Sequence, residues 1–165
     1  MDVALTDDYV TLQGSWGRQG RLEDHVPMVK IPRVVVADDH QSLLDRVVSI
    51  LAGEFSVVGT AKDGPGLVEA EAELTPDVLV IDISMPGMSG LEATSCIRRR
   101  GSRAAVVCLT AHQEPEIVEA AWRAGALGYV AKAALARDLV PAVRAALEGR
   151  RFLSASAVNP EPSHT

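Results

Sequence analysis

The sequence predicts an α/β fold in which helices cover both faces of a doubly wound, five-stranded parallel sheet. The segment 78–82 is an apolar run without polar alternation, which is typical of a strand buried on both faces. Four more such segments, at 33–39, 55–61, 106–110 and 127–131, alternate with helical patterns. Right-handed crossovers between these βα units predict the strand order 2-1-3-4-5. A chain of 165 residues, 47% of them hydrophobic, has the size for one such domain.

The predicted helices follow the strands and carry recognisable end signals. Apolar residues recur at helical spacing over the segments 43–51, 64–75, 89–100 and 135–149, and a further helix starts at 114. Ser89 is placed as an N-cap, with Glu92 three residues later as its capping-box partner. Pro141 is unfavourable inside the last helix, so we expect either a late start with Asp138 as N-cap or a kink.

Polar side chains stand at the carboxyl ends of four predicted strands. Asp38 and Asp39 end the first strand, Asp82 ends the third, Thr110 ends the fourth and Lys132 follows the fifth. Open α/β sheets bind their ligands at this edge, at the switch point between strands one and three. Each of these residues alone is ordinarily a turn or cap residue. Together they supply the acids, the hydroxyl and the ammonium that phosphoryl chemistry needs.

Three carboxylates at one edge of a sheet require a counter-charge. Without one, Asp38, Asp39 and Asp82 would repel one another, and each would raise the pKa of the others. A hard divalent cation removes this cost. Mg²⁺ suits a site with few carboxylates, some waters and a phosphate oxygen, so the sequence predicts a Mg²⁺ site here.

Four motifs over about residues 31–151 resemble those of response-regulator receiver domains. They are Val-Ala-Asp38-Asp39-His40, Ile-Asp82-Ile-Ser-Met-Pro-Gly-Met-Ser-Gly-Leu-Glu, Leu-Thr110-Ala-His112 and Ala-Gly-Ala-Leu-Gly-Tyr129-Val-Ala-Lys132. The first and last are most similar to the NarL/FixJ subfamily, whose members usually carry a helix-turn-helix output domain. No such segment is expected after residue 149. The resemblance implies a flavodoxin-like receiver fold and a signalling protein that catalyses only its own phosphorylation and dephosphorylation.

The resemblance also implies a role for the residues at the strand ends. Asp82 would be the nucleophile that takes a phosphoryl group from the phosphohistidine of a sensor histidine kinase. Asp39 and Asp82 would ligate Mg²⁺ directly with the carbonyl of Ser84, and Asp38 would act mainly through water. Lys132 would pair with the phosphoryl group or with Asp82, where it supplies positive charge.

A conformational switch is implied for Thr110 and Tyr129. Thr110 would hydrogen-bond a phosphoryl oxygen, and Tyr129 would move inward when the threonine moves, which changes the surface of helix four, strand five and helix five. A half-buried tyrosine on an edge strand is the alternative interpretation of Tyr129. The partner of this surface would be a downstream protein or a second copy of the chain.

Three other functional classes are compatible with parts of the pattern. A haloacid-dehalogenase phosphatase also uses a strand-end aspartate and Mg²⁺, but it needs a second acid two residues later, where Ser84 stands. A receiver that works as an interaction module without phosphorylation stays open, as does a fragment of a DNA-binding regulator. The net charge of −6 opposes general binding to nucleic acid or to anionic membranes.

The termini and the two cysteines complete the predicted organisation. The predicted segments are a disordered N-terminal extension, the receiver domain and a flexible tail, at residues 1–30, 31–151 and 152–165. The extension has no apolar run that suits a signal peptide or a transmembrane helix, so we expect a cytoplasmic location. Met28 is an alternative start of the protein. Cys96 and Cys108 are predicted to be inert buried thiols in a reducing compartment.

Overall fold

The computed structural model describes residues 2–6, 9–13, 29–111 and 114–155. Near the amino terminus, strands β1 (Asp2–Thr6) and β2 (Tyr9–Gln13) pair antiparallel as a separate two-stranded sheet. The sequence alone predicts neither strand. The predicted disorder of residues 14–28 concerns a segment outside the described part of the chain, as does most of the predicted tail, and both stay predictions.

A sheet of six parallel strands forms the centre of the fold. Its strands are β3 (Arg33–Ala37), β4 (Ser56–Ala61), β5 (Val78–Asp82), β6 (Ala105–Thr110), β7 (Gly128–Ala131) and β8 (Phe152–Leu153). Their order is β4-β3-β5-β6-β7-β8. The predicted order 2-1-3-4-5 is therefore confirmed for the first five strands, and a sixth strand follows them.

The predicted count of five strands is wrong because β8 extends the sheet beyond β7. Phe152 N–H donates a hydrogen bond to Leu127 O over 2.8 Å, and Ser154 N–H donates one to Tyr129 O over 2.9 Å. A strand of two residues has no periodicity that the sequence could reveal, and its partner strand lies far away along the chain. As a result, β7 is an internal strand at Gly128 and Tyr129.

In the described residues, five α-helices and one short 3-10 helix connect the strands. They are α1 (Gln41–Leu51), α2 (Gly64–Leu74), α3 (Gly90–Arg99), α4 (Pro115–Ala124), the 3-10 helix Lys132–Ala134, and α5 (Leu135–Leu147). Each helix that the sequence predicts is present. Within the same residues, no helix combines the length and the apolar character that crossing a membrane requires.

The helices cover both faces of the sheet, as the apolar runs predict. Val34 and Val36 of β3 belong to the core that α1 and α5 close, while Val35 belongs to the core that α2, α3 and α4 close. All three valines are fully buried. Successive residues of a strand face opposite sides, so a strand covered on both sides lacks polar alternation.

The helix starts agree with their predicted signals, except in α5. Ser89 Oγ accepts the N–H of Glu92 over 3.2 Å and Glu92 Oε2 accepts the N–H of Ser89 over 2.9 Å, which completes the predicted capping box. The late start is wrong, since α5 begins at Leu135 and continues through Pro141. Pro141 has no N–H to donate to the Arg137 carbonyl. Both residues are exposed, so water can donate to this carbonyl instead.

Candidate functional site

Three carboxylates meet at the carboxyl edge of the central sheet. Asp38 directly follows β3 and Asp82 is the last residue of β5, and these two strands are neighbours. The ligand atoms of Asp38, Asp39, His40 and Asp82 all lie within 4.8 Å of one another. The structure thus brings together the three acids that the sequence singled out. It also brings His40 into the cluster. The sequence predicted no role for this residue, and only its position directly after the two acids could have indicated one.

Three buried oxygens of these carboxylates lack a hydrogen-bond partner in the described part of the chain. Asp38 is 0% exposed and Asp82 is 1% exposed. Across the described part of the chain, Asp38 Oδ2, Asp39 Oδ1 and Asp82 Oδ2 are the buried side-chain polar atoms without a hydrogen-bond partner. Such atoms are rare in folded proteins because losing water without a replacement bond costs free energy. The three oxygens therefore indicate a place for a bound cation.

Main-chain donors hold the other oxygen of two of the carboxylates. Asp38 Oδ1 accepts the N–H of His40 over 2.8 Å, and Asp82 Oδ1 accepts the N–H of Ser84 over 3.1 Å. The His40 imidazole lies beside them, with Nδ1 3.0 Å from Asp39 Oδ1 and 3.3 Å from Asp38 Oδ1. The contact with Asp39 is within ion-pair range but is not aligned as a hydrogen bond. Oδ2 of Asp38 and of Asp82 accepts no hydrogen bond within the described part of the chain.

Lys132 brings a positive charge to the carboxylates. Its Nζ lies 3.1 Å from Asp82 Oδ2 and 3.5 Å from Asp38 Oδ2. Burial nevertheless raises the pKa of Asp82 above its ordinary value; Lys132 and the Ser84 N–H act in the opposite direction, and Asp38 adds to the rise. The Lys132 ammonium therefore does not fully offset the burial of Asp82.

The donor set of this cluster fits Mg²⁺. Carboxylate oxygens are the hard ligands that Mg²⁺ prefers, and this ion usually keeps several waters. Asp38, Asp39 and Asp82 supply those oxygens, and each has one that no protein donor satisfies. Ser84 is held beside them by its N–H bond to Asp82, so the loop that would supply the predicted carbonyl ligand lies at the site.

Thr110 and Tyr129 lie on neighbouring strands next to the acids. Thr110 ends β6 and Tyr129 lies in β7, and both are buried. Burial raises the pKa of the Tyr129 phenol, while a hydrogen bond with the Thr110 side chain acts in the opposite direction. The Trp122 ring packs beside the tyrosine, with the ring centroids 6.4 Å apart. Tyr129 is thus a fully buried residue of an internal strand and not the half-buried edge-strand tyrosine of the alternative interpretation.

Both cysteines are free thiols. Cys108 is fully buried in β6, and burial raises the pKa of its thiol to about 12, with the charge of Asp82 adding to the effect. Since the thiolate is the reactive form, Cys108 is inert near neutral pH. His112, the last residue of the third motif, lies outside the described residues.

Comparison with known protein families identifies the family of this chain. The family described as the response regulator receiver domain matches residues 34–144, which include the three acids, Thr110 and Lys132. The chain belongs to this family. The resemblance that the four motifs predict is thereby confirmed.

Related receivers also come from the predicted subfamily. The probable transcriptional regulatory protein NarL of Mycobacterium tuberculosis is 36% identical over 134 residues, which cover 80% of this chain and 62% of the relative. The response regulator GacA of Pseudomonas viridiflava is 36% identical over 124 residues, which cover 74% of this chain and 58% of the relative. The chain therefore spans about three fifths of the length of these two relatives.

Solved structures of receivers share the fold. A two-component response regulator of the LuxR family from Aurantimonas sp. SI85-9A1 has a TM-score of 0.74 and 33% identity, over 78% of this chain and 93% of that chain. The signal receiver domain of NarL from Mycobacterium tuberculosis has a TM-score of 0.70 and 37% identity, over 73% of this chain and 98% of that chain. Both comparisons agree with the flavodoxin-like parallel sheet described above.

Proposed function

We propose that this receiver accepts a phosphoryl group on Asp82 from the phosphohistidine of a sensor histidine kinase. The observation that carries the proposal is the buried Asp82 Oδ2, which has no hydrogen-bond partner and lies 3.1 Å from the ammonium of Lys132. In the reaction a carboxylate oxygen attacks phosphorus, the N–P bond breaks and its electron pair returns to the imidazole. The product is an aspartyl phosphate.

In this proposal, Mg²⁺ completes the site. Asp39, Asp82 and the carbonyl of Ser84 would ligate the ion directly, and Asp38 would act mainly through water. When bound, Mg²⁺ supplies charge neutralisation for the phosphoryl oxygens. The fold holds these carboxylate oxygens close together at a buried site, although their negative charges repel one another.

Lys132 and Thr110 would contact the transferred group. Lys132 already lies against Asp82, so its ammonium stands where negative charge develops as the phosphoryl group arrives. Thr110 ends the neighbouring strand β6, and Asp82 pairs with Leu109 of that strand. From there the Thr110 hydroxyl would donate a hydrogen bond to a phosphoryl oxygen.

Phosphorylation would shift the receiver between two conformations. A hydrogen bond from Thr110 to a charged oxygen contributes about 1.5 to 3 kcal/mol, and it exists only in the phosphorylated state. That free energy changes a two-state equilibrium by roughly tenfold to a hundredfold. Because Tyr129 bonds Thr110 and packs beside Trp122 of α4, a movement of the threonine would reach the surface of α4, β7 and α5.

The switched surface would act in the cytoplasm through protein contacts. We expect it to bind a downstream protein or a second copy of the chain, because a net charge of −6 is repelled by nucleic acid and by anionic membranes. One relative is named a probable transcriptional regulatory protein. If this receiver forms part of a longer protein of that kind, its DNA contacts would come from another segment.

Labelling with a small phosphodonor such as acetyl phosphate tests the proposal. The parent should take up a phosphoryl group only when Mg²⁺ is present. Asp82→Asn keeps the side-chain volume and removes the nucleophile, so it should take up none while its circular dichroism matches that of the parent. Equal labelling of the variant would overturn the assignment of Asp82. An unlabelled parent would favour a receiver that works as an interaction module without phosphorylation.

A further inference from the structure

The segment after α5 lies along the strand that leads to Lys132. Its strand β8 pairs in parallel with β7, with Phe152 opposite Gly128 and Leu153 opposite Tyr129. Just before β8, the guanidinium carbon of Arg151 lies 5.2 Å from the centroid of the Trp122 ring. The segment is therefore attached both to β7 and to α4, next to the residues of the proposed switch.

Ser154 extends the strand pairing with its side chain. The residue is 0% exposed. Its Oγ accepts a hydrogen bond from the N–H of Ala131 over 3.2 Å and donates one to Asp138 Oδ2 over 2.5 Å. Ala131 is the last residue of β7, beyond the main-chain bond from Ser154 N–H to Tyr129 O. The hydroxyl thus satisfies both the final N–H of the strand and a buried carboxylate.

Asp138 connects the same hydroxyl to the start of α5. It is the fourth residue of that helix, and the neighbouring Arg137 guanidinium donates to its two oxygens over 2.8 and 3.0 Å. One buried hydroxyl therefore joins the end of β7 to the first turn of α5. The short segment between these two points consists of the 3-10 helix Lys132–Ala134 and the first three residues of α5.

We propose that Ser154 is a positioning residue for Lys132 and thereby sets the rate of phosphoryl transfer to Asp82; this rests on the proposed function. Lys132 directly follows Ala131, and its ammonium must reach Asp82 Oδ2 through a flexible carbon stem. The position of the Lys132 Cα limits which rotamers of this stem bring the ammonium to Asp82 Oδ2, so holding the main chain in place favours those rotamers. Misplacing a reacting group by about 1 Å can lower a rate by roughly a hundredfold.

The variant Ser154→Ala removes both hydrogen bonds of the hydroxyl and leaves unchanged the proposed metal ligands, which lie at the carboxyl ends of β3 and β5. We expect it to be labelled by acetyl phosphate at saturating Mg²⁺ about tenfold more slowly than the parent. Its Mg²⁺ affinity should stay within about twofold of the parent value. Ser102→Ala is the matched control, since Ser102 Oγ also accepts a main-chain N–H, that of Ala104, over 3.2 Å, at the other end of the sheet. This control should be labelled at the parent rate.

A double-mutant cycle separates positioning from a general loss of structure. In the Lys132→Ala background no ammonium remains to be positioned, so adding Ser154→Ala should change the labelling rate by less than about twofold. Equal slowing in both backgrounds would overturn the inference, as would a parent-like rate in Ser154→Ala. If Ser154→Ala is insoluble, Asp138→Asn takes its place in the same cycle, because a neutral amide oxygen accepts the Ser154 hydroxyl less strongly.

Two readouts distinguish this inference from the proposed function. If the parent takes no phosphoryl group, the proposed function fails and the inference fails with it. If the parent is labelled and Ser154→Ala is labelled equally fast, the inference alone fails. The nitrogen-15 signal of the Lys132 ammonium, assigned by its loss in Lys132→Ala, needs no phosphoryl transfer. Its chemical shift should change in Ser154→Ala and stay the same in Ser102→Ala; an unchanged shift in both variants would count against positioning.

Discussion

Mg²⁺ should stabilise this receiver against unfolding, and the stabilisation should depend on Asp39. The three carboxylates of the cluster lie beside the single ammonium of Lys132, which does not balance all of their negative charge. The ligand atoms lie within 4.8 Å of one another, and at an effective dielectric constant of about 20 the repulsion is on the order of 3 kcal/mol for each pair of charges. A divalent cation bound among the carboxylates attracts each of them, and this attraction offsets their mutual repulsion.

Binding linkage sets the size of the measurable effect. At a Mg²⁺ concentration about a hundred times Kd, the free energy of unfolding rises by about 2.7 kcal/mol. For a domain of this length, that corresponds to a rise in Tm of roughly 5 to 10 °C. Asp39→Ala should lose most of this rise, because it removes a direct ligand.

Thermal unfolding followed by circular dichroism, with and without Mg²⁺, measures the effect. The control is Glu73→Ala, an exposed position of α2 at which the same charge is lost away from the cluster, and it should keep the full rise in Tm. Without Mg²⁺, Asp39→Ala should be at least as stable as the parent, since one repelling charge is gone. An equal rise in Tm for Asp39→Ala and the parent would show that Asp39 is not a ligand.

Two further perturbations concern the charge of Asp82 and the switch. Burial raises the pKa of Asp82, so in the absence of Mg²⁺ its ionised form lowers stability at neutral pH; this cost falls as the pH drops through the raised pKa and is gone below the ordinary value of 3.8. Asp82→Asn should therefore have a higher free energy of unfolding than the parent at pH 7 and an equal one near pH 3; urea titrations that give the same difference at both pH values would contradict this. Thr110→Ala should still be phosphorylated, and so should Tyr129→Phe, which keeps the ring and removes only the hydroxyl that contacts Thr110. In both variants, amide hydrogen exchange over Glu116 to Arg123 should change less on phosphorylation than in the parent. A change as large as that of the parent in both variants would show that Thr110 and Tyr129 do not couple the phosphorylation site to α4.

Much of the fold and the proposed site could be predicted because parallel sheets leave strong local signals. Helices cover both faces of the sheet, so Val34 to Val36 are all buried and their strand is an uninterrupted apolar run in the sequence. The same architecture brings all carboxyl ends of the strands to one edge. Knowing that Asp38 and Asp82 end strands that are neighbours in the sheet was therefore sufficient to place them together.

The features that the sequence did not reveal depend on contacts between distant segments. Strand β8 has two residues, and its place in the sheet is determined by hydrogen bonds to Leu127 and Tyr129. The sequence left open whether α5 starts at Leu135 or only near Asp138, because Pro141 lowers local helix propensity; the burial of Leu135 and Leu139 against the sheet outweighs that penalty. Likewise, the role of Ser154 follows from a partner, Asp138, that no local pattern identifies.

Mapping the phosphorylated residue shows directly whether Asp82 accepts the phosphoryl group. Borohydride reduces an aspartyl phosphate to homoserine, so treatment of the labelled protein followed by peptide mass spectrometry identifies the carboxylate that accepted the phosphoryl group. We predict that homoserine appears at Asp82, and only after incubation with both phosphodonor and Mg²⁺. Homoserine at Asp38 or Asp39 with Asp82 intact would contradict the account.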